Sequence, residues 1–498
     1  MVKIAEIVRQ NPWWNQGIGF AQHDPHLAKA KPIFFRRNEI AFARGNIYVL
    51  RGPRQVGKTT YLKDTVRQLI KKGILPNRIL YLSFDFFTSR RELRNALNYF
   101  LDATREAEEI YLLFDEISAL NDWNLELKYL ADLGITGKSV IIATGSSAVR
   151  LKEKAELLPG RGLEGNEYYF KPLTFREFVL QSLDHLAEVL TAEEFRQALA
   201  NLGSTLPECA LDLHSDLEKM KGEILKIVPF KSELQYLFRI YLICGGNPGV
   251  INHYFVHRYE KLAEKIDASI AEIFIRDVLG DLSRLQKQEI VAREILKVIL
   301  ESYGSRYSFT RLSKAIERTH ATAIDYLEAL EESFILSVLY AYDFSKKDIK
   351  SKGEKKVFFL DPFFHHAIKS YLSGREIWEV INQMLQDEEI QSHLVEGVAV
   401  MHLLMHKERP YIRKGNTFLW NYYDKSGKEI DAVLKVDSGY LGIEVKYQAQ
   451  VSEREVKPIA PIKNYIIFSK DDIGFGENIL VVPIEVFLAL LPKSERNI

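Results

Sequence analysis

Residues 47–70 read IYVLRGPRQVGKTTYLKDTVRQLI, and this stretch decides the first part of the fold. Ile47 to Leu50 form a short apolar run of the kind a buried parallel strand carries. Gly52-Pro53-Arg54-Gln55-Val56-Gly57-Lys58-Thr59 follows and matches GxxxxGK[ST] in full, with a helical pattern directly behind it. The spacing has a physical basis. Glycines let main-chain N–H groups close on a phosphate that a Cβ would exclude, and the new helix turns its positive end toward the same anion. Lys58 is then placed to reach the β- and γ-phosphates, and the Thr59 hydroxyl to ligate Mg²⁺. Gly52 through Gly57, Lys58, Thr59 and Thr60 are the expected contacts of a bound nucleoside triphosphate.

Working outward, three more apolar runs, Ile79–Phe84, Ile110–Phe114 and Val140–Ala143, alternate with helical stretches. That alternation predicts a three-layer α/β sheet. The run IYLLFDEIS ends in Asp115-Glu116, at the strand end where open α/β sheets hold ligands. Asp115 is expected to hold Mg²⁺ through water and Glu116 to polarise the attacking water. In the next run, VIIATGSSAVR, Ser146 either senses the γ-phosphate or caps the following helix. In LLPGRGLEG, Arg161 is either a solvated surface residue or an arginine that stabilises the transition state on a neighbouring subunit's ATP. No guanine-reading NKxD follows, so ATP is the default nucleotide. The aromatic group Trp13, Trp14, Phe20, Phe34 and Phe35 either covers the base or packs.

Composition narrows the class. At 498 residues the chain exceeds one hydrophobic core and implies about three domains. Lys+Arg and Asp+Glu are both 67, so any nucleic-acid surface has to be local. Two cysteines, Cys209 and Cys244, exclude a disulfide scaffold and a cysteine zinc site. No signal-like N-terminus and no long apolar run occurs, which predicts no membrane span and a cytoplasmic location.

RGPRQVGKTT, LLFDEI, IATGSS, LPGRG with PLTFREF, and GGNPG together resemble the prokaryotic and archaeal AAA-type ATPases with a DUF4143-type C-terminal region, relatives of the STAND-like and archaeal ATPase clades. The resemblance implies a lid helix starting at Gly245–Pro248 and raises Arg161 as an interface residue of a homo-oligomer. It also implies a winged-helix module, which FTRLSKAIERTHATAIDYLEALEESFILSVL fits as helix 309–317, helix 320–332 and a strand. The second helix departs from a DNA-reading surface: Asp325, Glu328, Glu331 and Glu332 stand on it without a Lys or Arg. Lys346, Lys347, Lys350, Lys352, Lys355 and Lys356 crowd the hairpin after it, either to touch phosphates or as a solvated loop.

The C-terminal part carries Glu396 in a helical pattern, Asp431 in EIDAVLKV, and Glu444 with Lys446 in YLGIEVKY. This order looks like the PD-(D/E)xK nucleases, particularly archaeal Holliday-junction resolvases. It would place Asp431 and Glu444 at one Mg²⁺ with Glu396 as a further ligand, and Lys446 at the attacking water. Charged residues on an exposed strand face would give the same pattern. The expected fold is thus α/β: a P-loop ATPase domain over 1–175, a helical lid or insert over 176–285, a winged-helix-like module over 286–375 and a nuclease-like domain over 376–498. Two functions follow from it. One is a Mg²⁺-dependent ATPase acting on branched or broken DNA with a resolvase-like domain. The other is a signalling or scaffold ATPase whose nucleotide state controls assembly and whose nuclease-like domain is inactive.

Overall fold

The computed structural model describes residues 4–28, 30–120, 123–145, 166–213, 216–407, 418–436, 439–452 and 456–494. It divides into two compact units, the first ending at Lys171 and the second spanning Pro172–Ser494. Ser146 and Arg161 lie outside the described residues.

The first unit is built on a parallel sheet of β1 (Ile47–Arg51), β2 (Ile79–Ser83), β3 (Ile110–Asp115), β4 (Ser139–Gly145) and β5 (Glu167–Tyr169), in the order β2-β3-β4-β1-β5. Strand alternation divides the core. Leu80, Leu82, Leu112, Phe114, Ile141 and Ala143 face helices α3 (Arg90–Ala103) and α4 (Trp123–Asp132) on one side. Tyr81, Tyr111, Leu113, Val140 and Ile142 face Leu62, Val66 and Leu69 of α2 (Lys58–Lys71) on the other. Each of those three α2 side chains is worth about 1.5–3 kcal/mol when buried. This double coverage explains why the strands read as continuous apolar runs.

Sheet edge β2 is closed by the N-terminal segment. From the end of helix α1 (Ile4–Gln10), the Gln10 side chain accepts from Ser83 N. Asn11 accepts from Tyr81 N through Oδ1 at 2.7 Å and donates to Tyr81 O through Nδ2 at 2.9 Å, so one amide side chain imitates a neighbouring strand. Trp13 and Trp14 both donate to Ile79 O. Trp13 is fully buried against Phe20 and Tyr81. Trp13, Trp14 and Phe20 therefore pack on the sheet.

The second unit begins with helices α5 (Phe175–Val189) through α11 (Glu289–Glu301), among them α8 (Lys231–Cys244), α9 (Pro248–Phe255) and α10 (Ala268–Arg284). Thr174 and Glu177 close α5 with a reciprocal capping box. The turn after α8 is tied inward. Gly246 N donates to Asp361 Oδ2 at 2.6 Å, Leu173 N donates to Gly246 O at 2.7 Å, and Asn247 caps α9. A Cβ on Gly246 would stand 2.0 Å from Leu173 O. Cys209 and Cys244 are free and buried.

Helices α12 (Phe309–Ala315) and α13 (His320–Glu332) lead into an antiparallel pair, β6 (Leu336–Tyr340) with β9 (Lys355–Phe359), bearing the small pair β7 (Tyr342–Asp343) and β8 (Asp348–Ile349) at its tip. The acidic helix is partly tied down: Glu331 accepts from Val338 N, Glu332 is buried, and Asp325, itself exposed, pairs with Lys287 at 2.5 Å. After α14 (Pro362–Ser373), α15 (Ile377–Gln386) and α16 (Glu388–His406), the chain forms a six-stranded mixed sheet. Its order is β10 (Leu419–Tyr423), β11 (Glu429–Val436), β12 (Gly439–Val445), β13 (Asn464–Ser469), β15 (Ile479–Pro483) and β14 (Gly474–Phe475), with helix α17 (Ile484–Leu490) after β15.

Two outcomes are expected. Gly246→Ala should lower unfolding free energy by about 2–3 kcal/mol, because backbone must move. Gly280→Ala, a helical site with nothing within 4 Å of the new Cβ, should raise it by about 0.5–1 kcal/mol; urea unfolding measures both. Burial pushes the Asp361 carboxyl up to about 7. A carboxyl raised above its unfolded value stabilises the fold only while protonated. Unfolding free energy should therefore fall as pH rises from 4 through 7, and Asp361→Asn should flatten that slope.

Candidate nucleotide site and C-terminal carboxylate cluster

The loop after β1 adopts the conformations its sequence requires. Gly57 takes φ +94° and Gln55 φ +65°, both in the left-handed region. Gly52 admits no side chain, since a Cβ there would meet Phe170 O at 1.9 Å. Lys58 Nζ donates to Gly52 O at 2.9 Å and Pro53 O at 2.7 Å, so the ammonium is held over the loop's concave backbone. Arg37 braces the same loop, donating to Val56 O at 2.8 Å and Lys171 O at 3.0 Å. The sequence reading missed Arg37, whose only signal was a basic residue in a mixed segment.

Asp115 is the hub. Its Oδ2 accepts from Thr59 Oγ1 at 2.7 Å and from Tyr81 Oη at 2.8 Å, and its Oδ1 accepts from Thr144 Oγ1. Four elements, β2, β3, β4 and α2, thus converge on one buried carboxylate. Thr144, at the end of β4, also accepts from Glu116 N at 3.2 Å. Glu116 sits at φ +49°, a conformation costly for a non-glycine residue and met often at functional sites. Burial raises its carboxyl, Lys58 opposes that shift, and its Oε2 has no hydrogen-bond partner among the described residues. Tyr81, unnoticed in the sequence, is kept protonated by burial and by the Asp115 charge. Lys63 Nζ lies 3.6 Å from the Tyr81 ring centre, and burial lowers its ammonium to about 8.

Thr59 and Asp115 side by side fit a hydrated Mg²⁺: a hydroxyl and a carboxylate are hard oxygen donors of the kind this ion takes. The loop and Lys58 fit a triphosphate.

Comparison with known proteins agrees with this geometry. Residues 44–179 match an AAA domain. The AAA domain is followed by matches to two domains of unknown function, DUF8612 over residues 235–374 and DUF4143 over residues 391–487. An uncharacterized protein of Methanocaldococcus jannaschii is 27% identical over 451 residues, covering 89% of this chain and 85% of its own. An uncharacterized protein of Haemophilus influenzae is 23% identical and covers 84% and 86%. AMPPCP-bound DnaA from Aquifex aeolicus aligns over 64% of this chain and 88% of its own at 16% identity with a TM-score of 0.24. The chain carries an AAA-type P-loop ATPase domain, and among the described residues no helix is long and apolar enough to cross a membrane.

In the second unit the four residues singled out from the C-terminal sequence share one place. Glu396 on α16, Asp431 on β11 and Glu444 on β12 are mostly buried, and Lys446 Nζ lies 3.5 Å from Glu444 Oε2. Asp431 Oδ2 accepts from Val445 N at 2.9 Å. The arrangement departs from expectation in one respect. Glu396 already has a cation: Lys356 Nζ, from β9, lies 2.7 Å from its Oε1 and 2.8 Å from Asp431 Oδ1. Burial, reinforced by Asp431, pushes Glu396 and Glu444 each up to about 8. Burial would raise Asp431 too, but Lys356 holds it below the usual carboxylate range.

The lysine-rich hairpin is also corrected. Lys355 and Lys356 are buried, and Lys350 donates to Tyr423 O at 2.7 Å, which leaves Lys346, Lys347 and Lys352 exposed. The basic surface is half of what the sequence suggested. His253, His257 and Asp267 form a group with metal-ligand spacing that the sequence reading did not single out. Both Nε2 atoms have protein neighbours, whereas His257 Nδ1 is buried with no hydrogen-bond partner among the described residues. Asp267 N donates to His253 Nε2 at 3.1 Å, and Lys261 Nζ lies 3.2 Å from His257 Nε2.

Tyr81→Phe should cost about 2 kcal/mol of stability by removing a donor from a buried carboxylate, read by urea unfolding, and should weaken nucleotide binding as Asp115 loses its alignment.

Proposed function

We propose that this protein is a Mg²⁺-dependent ATP-hydrolysing switch. The supporting observation is the contact between Thr59 Oγ1 and Asp115 Oδ2 at 2.7 Å, at the foot of a glycine loop that holds Lys58 and beside Glu116. In this reading the loop N–H groups grip the phosphates and Lys58 exchanges its carbonyl partners for phosphate oxygens. Thr59 and Asp115 hold Mg²⁺, whose charge would offset that developing on the transferring phosphoryl group. Glu116, its proton affinity raised by burial, orients a water and takes its proton. Arg161 from a second copy is the proposed stabiliser of the transition state, which makes the protein a homo-oligomer, and Ser146 is the proposed γ-phosphate contact.

For the second unit two readings compete. Action on DNA is supported by the order of Glu396, Asp431, Glu444 and Lys446. Control of protein assembly, with no cutting, is supported by the Lys356 ammonium among those carboxylates and by the reduced basic surface of the hairpin. We adopt the second. ATPase rate measured with and without branched DNA, together with a salt titration of DNA binding, separates them: DNA action requires stimulation and a steep salt dependence.

Lys58→Ala should abolish nucleotide binding and turnover with the fold unchanged. Glu116→Gln should keep ATP bound and lower turnover about 10²–10⁴-fold. Full turnover in Lys58→Ala removes the reading.

A further inference from the structure

The four acids of the C-terminal cluster all have cations supplied by the chain. Lys356 Nζ stands 2.7 Å from Glu396, 2.8 Å from Asp431 and 3.3 Å from Glu429, and its side chain is only 3% exposed. Arg306 Nε adds a second contact to Glu429 at 3.3 Å, and Lys446 serves Glu444 at 3.5 Å. Neither end of the lysine contact is incidental. β9 pairs with β6 in a fixed antiparallel register, Leu339 opposite Lys356, and successive residues on a strand point to opposite faces. Lys355 accordingly turns away, donating to Ser351 O and Gly353 O with its Nζ 3.9 Å from the Phe309 ring centre. Lys356 is sent into the carboxylates.

We propose that Lys356 is the resident cation of this cluster, so that a strand of the hairpin, not a divalent metal ion, supplies the positive charge beside Asp431 and Glu396. A metal ion shared by Asp431 Oδ1 and Glu396 Oε1 has to expel a buried ammonium that is hydrogen-bonded to both. The cost of stranding one partner of a buried ion pair is large, whereas an internal lysine gives up no translational freedom on binding. The contact also locks the hairpin to the C-terminal sheet: it spans residues 356, 396 and 431, three separate elements of the second unit. The inference stands apart from the ATPase reading, since no nucleotide contact enters it.

The test uses the full-length protein without nucleotide and Mn²⁺ as the probe, followed by electron paramagnetic resonance and by thermal melting. Asp431→Asn identifies which bound Mn²⁺ belongs to the cluster. Wild type is expected to hold no Mn²⁺ that Asp431→Asn removes, at millimolar metal. Lys356→Met, similar in length and uncharged, should melt several degrees lower and gain a Mn²⁺ site. Mn²⁺ should restore part of the lost melting temperature, and adding Asp431→Asn should abolish both gains. The proposal is overturned if wild type shows Asp431-dependent Mn²⁺ binding, or if Lys356→Met melts as wild type does. Should Lys356→Met fail to fold, the lock is supported and the wild-type metal measurement alone decides whether the site is lysine-filled.

Discussion

The Asp115 carboxylate is the interaction on which the first unit's geometry depends. A buried charge is tolerated only when its oxygens are occupied, and three hydroxyls do this from three different elements: Thr59 at the start of α2, Tyr81 on β2 and Thr144 on β4. The requirement runs in both directions. The carboxylate needs those donors, and the donors fix the relative positions of the phosphate loop, two strand ends and the Glu116 turn. Thr59 and Asp115 lie within hydrogen-bonding distance, so the fold itself sets the spacing of these two oxygen donors.

The second unit contains a buried charge with a different solution. Its carboxylates are held by Lys356 on β9, Arg306 just before α12 and Lys446 just after β12. Both sites obey one rule: buried polar and charged groups persist where complementary partners come from several elements at once. They differ in what they leave open. In the first unit the donors are hydroxyls, which can share a carboxylate with a metal ion. In the second a full positive charge stands between Asp431 and Glu396.

Much of the first unit was legible because its signals are local. A strand, a glycine loop and a helix follow each other within 24 residues, 47–70, and backbone sterics at Gly52 and Gly57 leave little choice of conformation. Asp115 could be read because a carboxylate ends an apolar strand. Tyr81 and Arg37 could not, since nothing in their flanking residues marks them and their partners are 34 and 19 positions away. The lysine-rich segment misled for a related reason. Six lysines among polar residues read either as phosphate contacts or as a solvated loop, but strand pairing decides which of them face inward, and that pairing is set across 17 residues between Leu339 and Lys356.

Sequence alone determined the phosphate loop, the order of the α/β elements around it, the strand-borne carboxylates and the two free cysteines. Each follows from residue type and from spacing along the chain. Only the tertiary structure decided that the N-terminal amides and tryptophans close a sheet edge, that Thr144 and Tyr81 complete the Asp115 network, and that Lys356 fills the C-terminal cluster. Those outcomes depend on which side chains meet after the chain has doubled back. Desolvation then makes every unpaired charge expensive enough to select its partner, and no local pattern of residues records that selection.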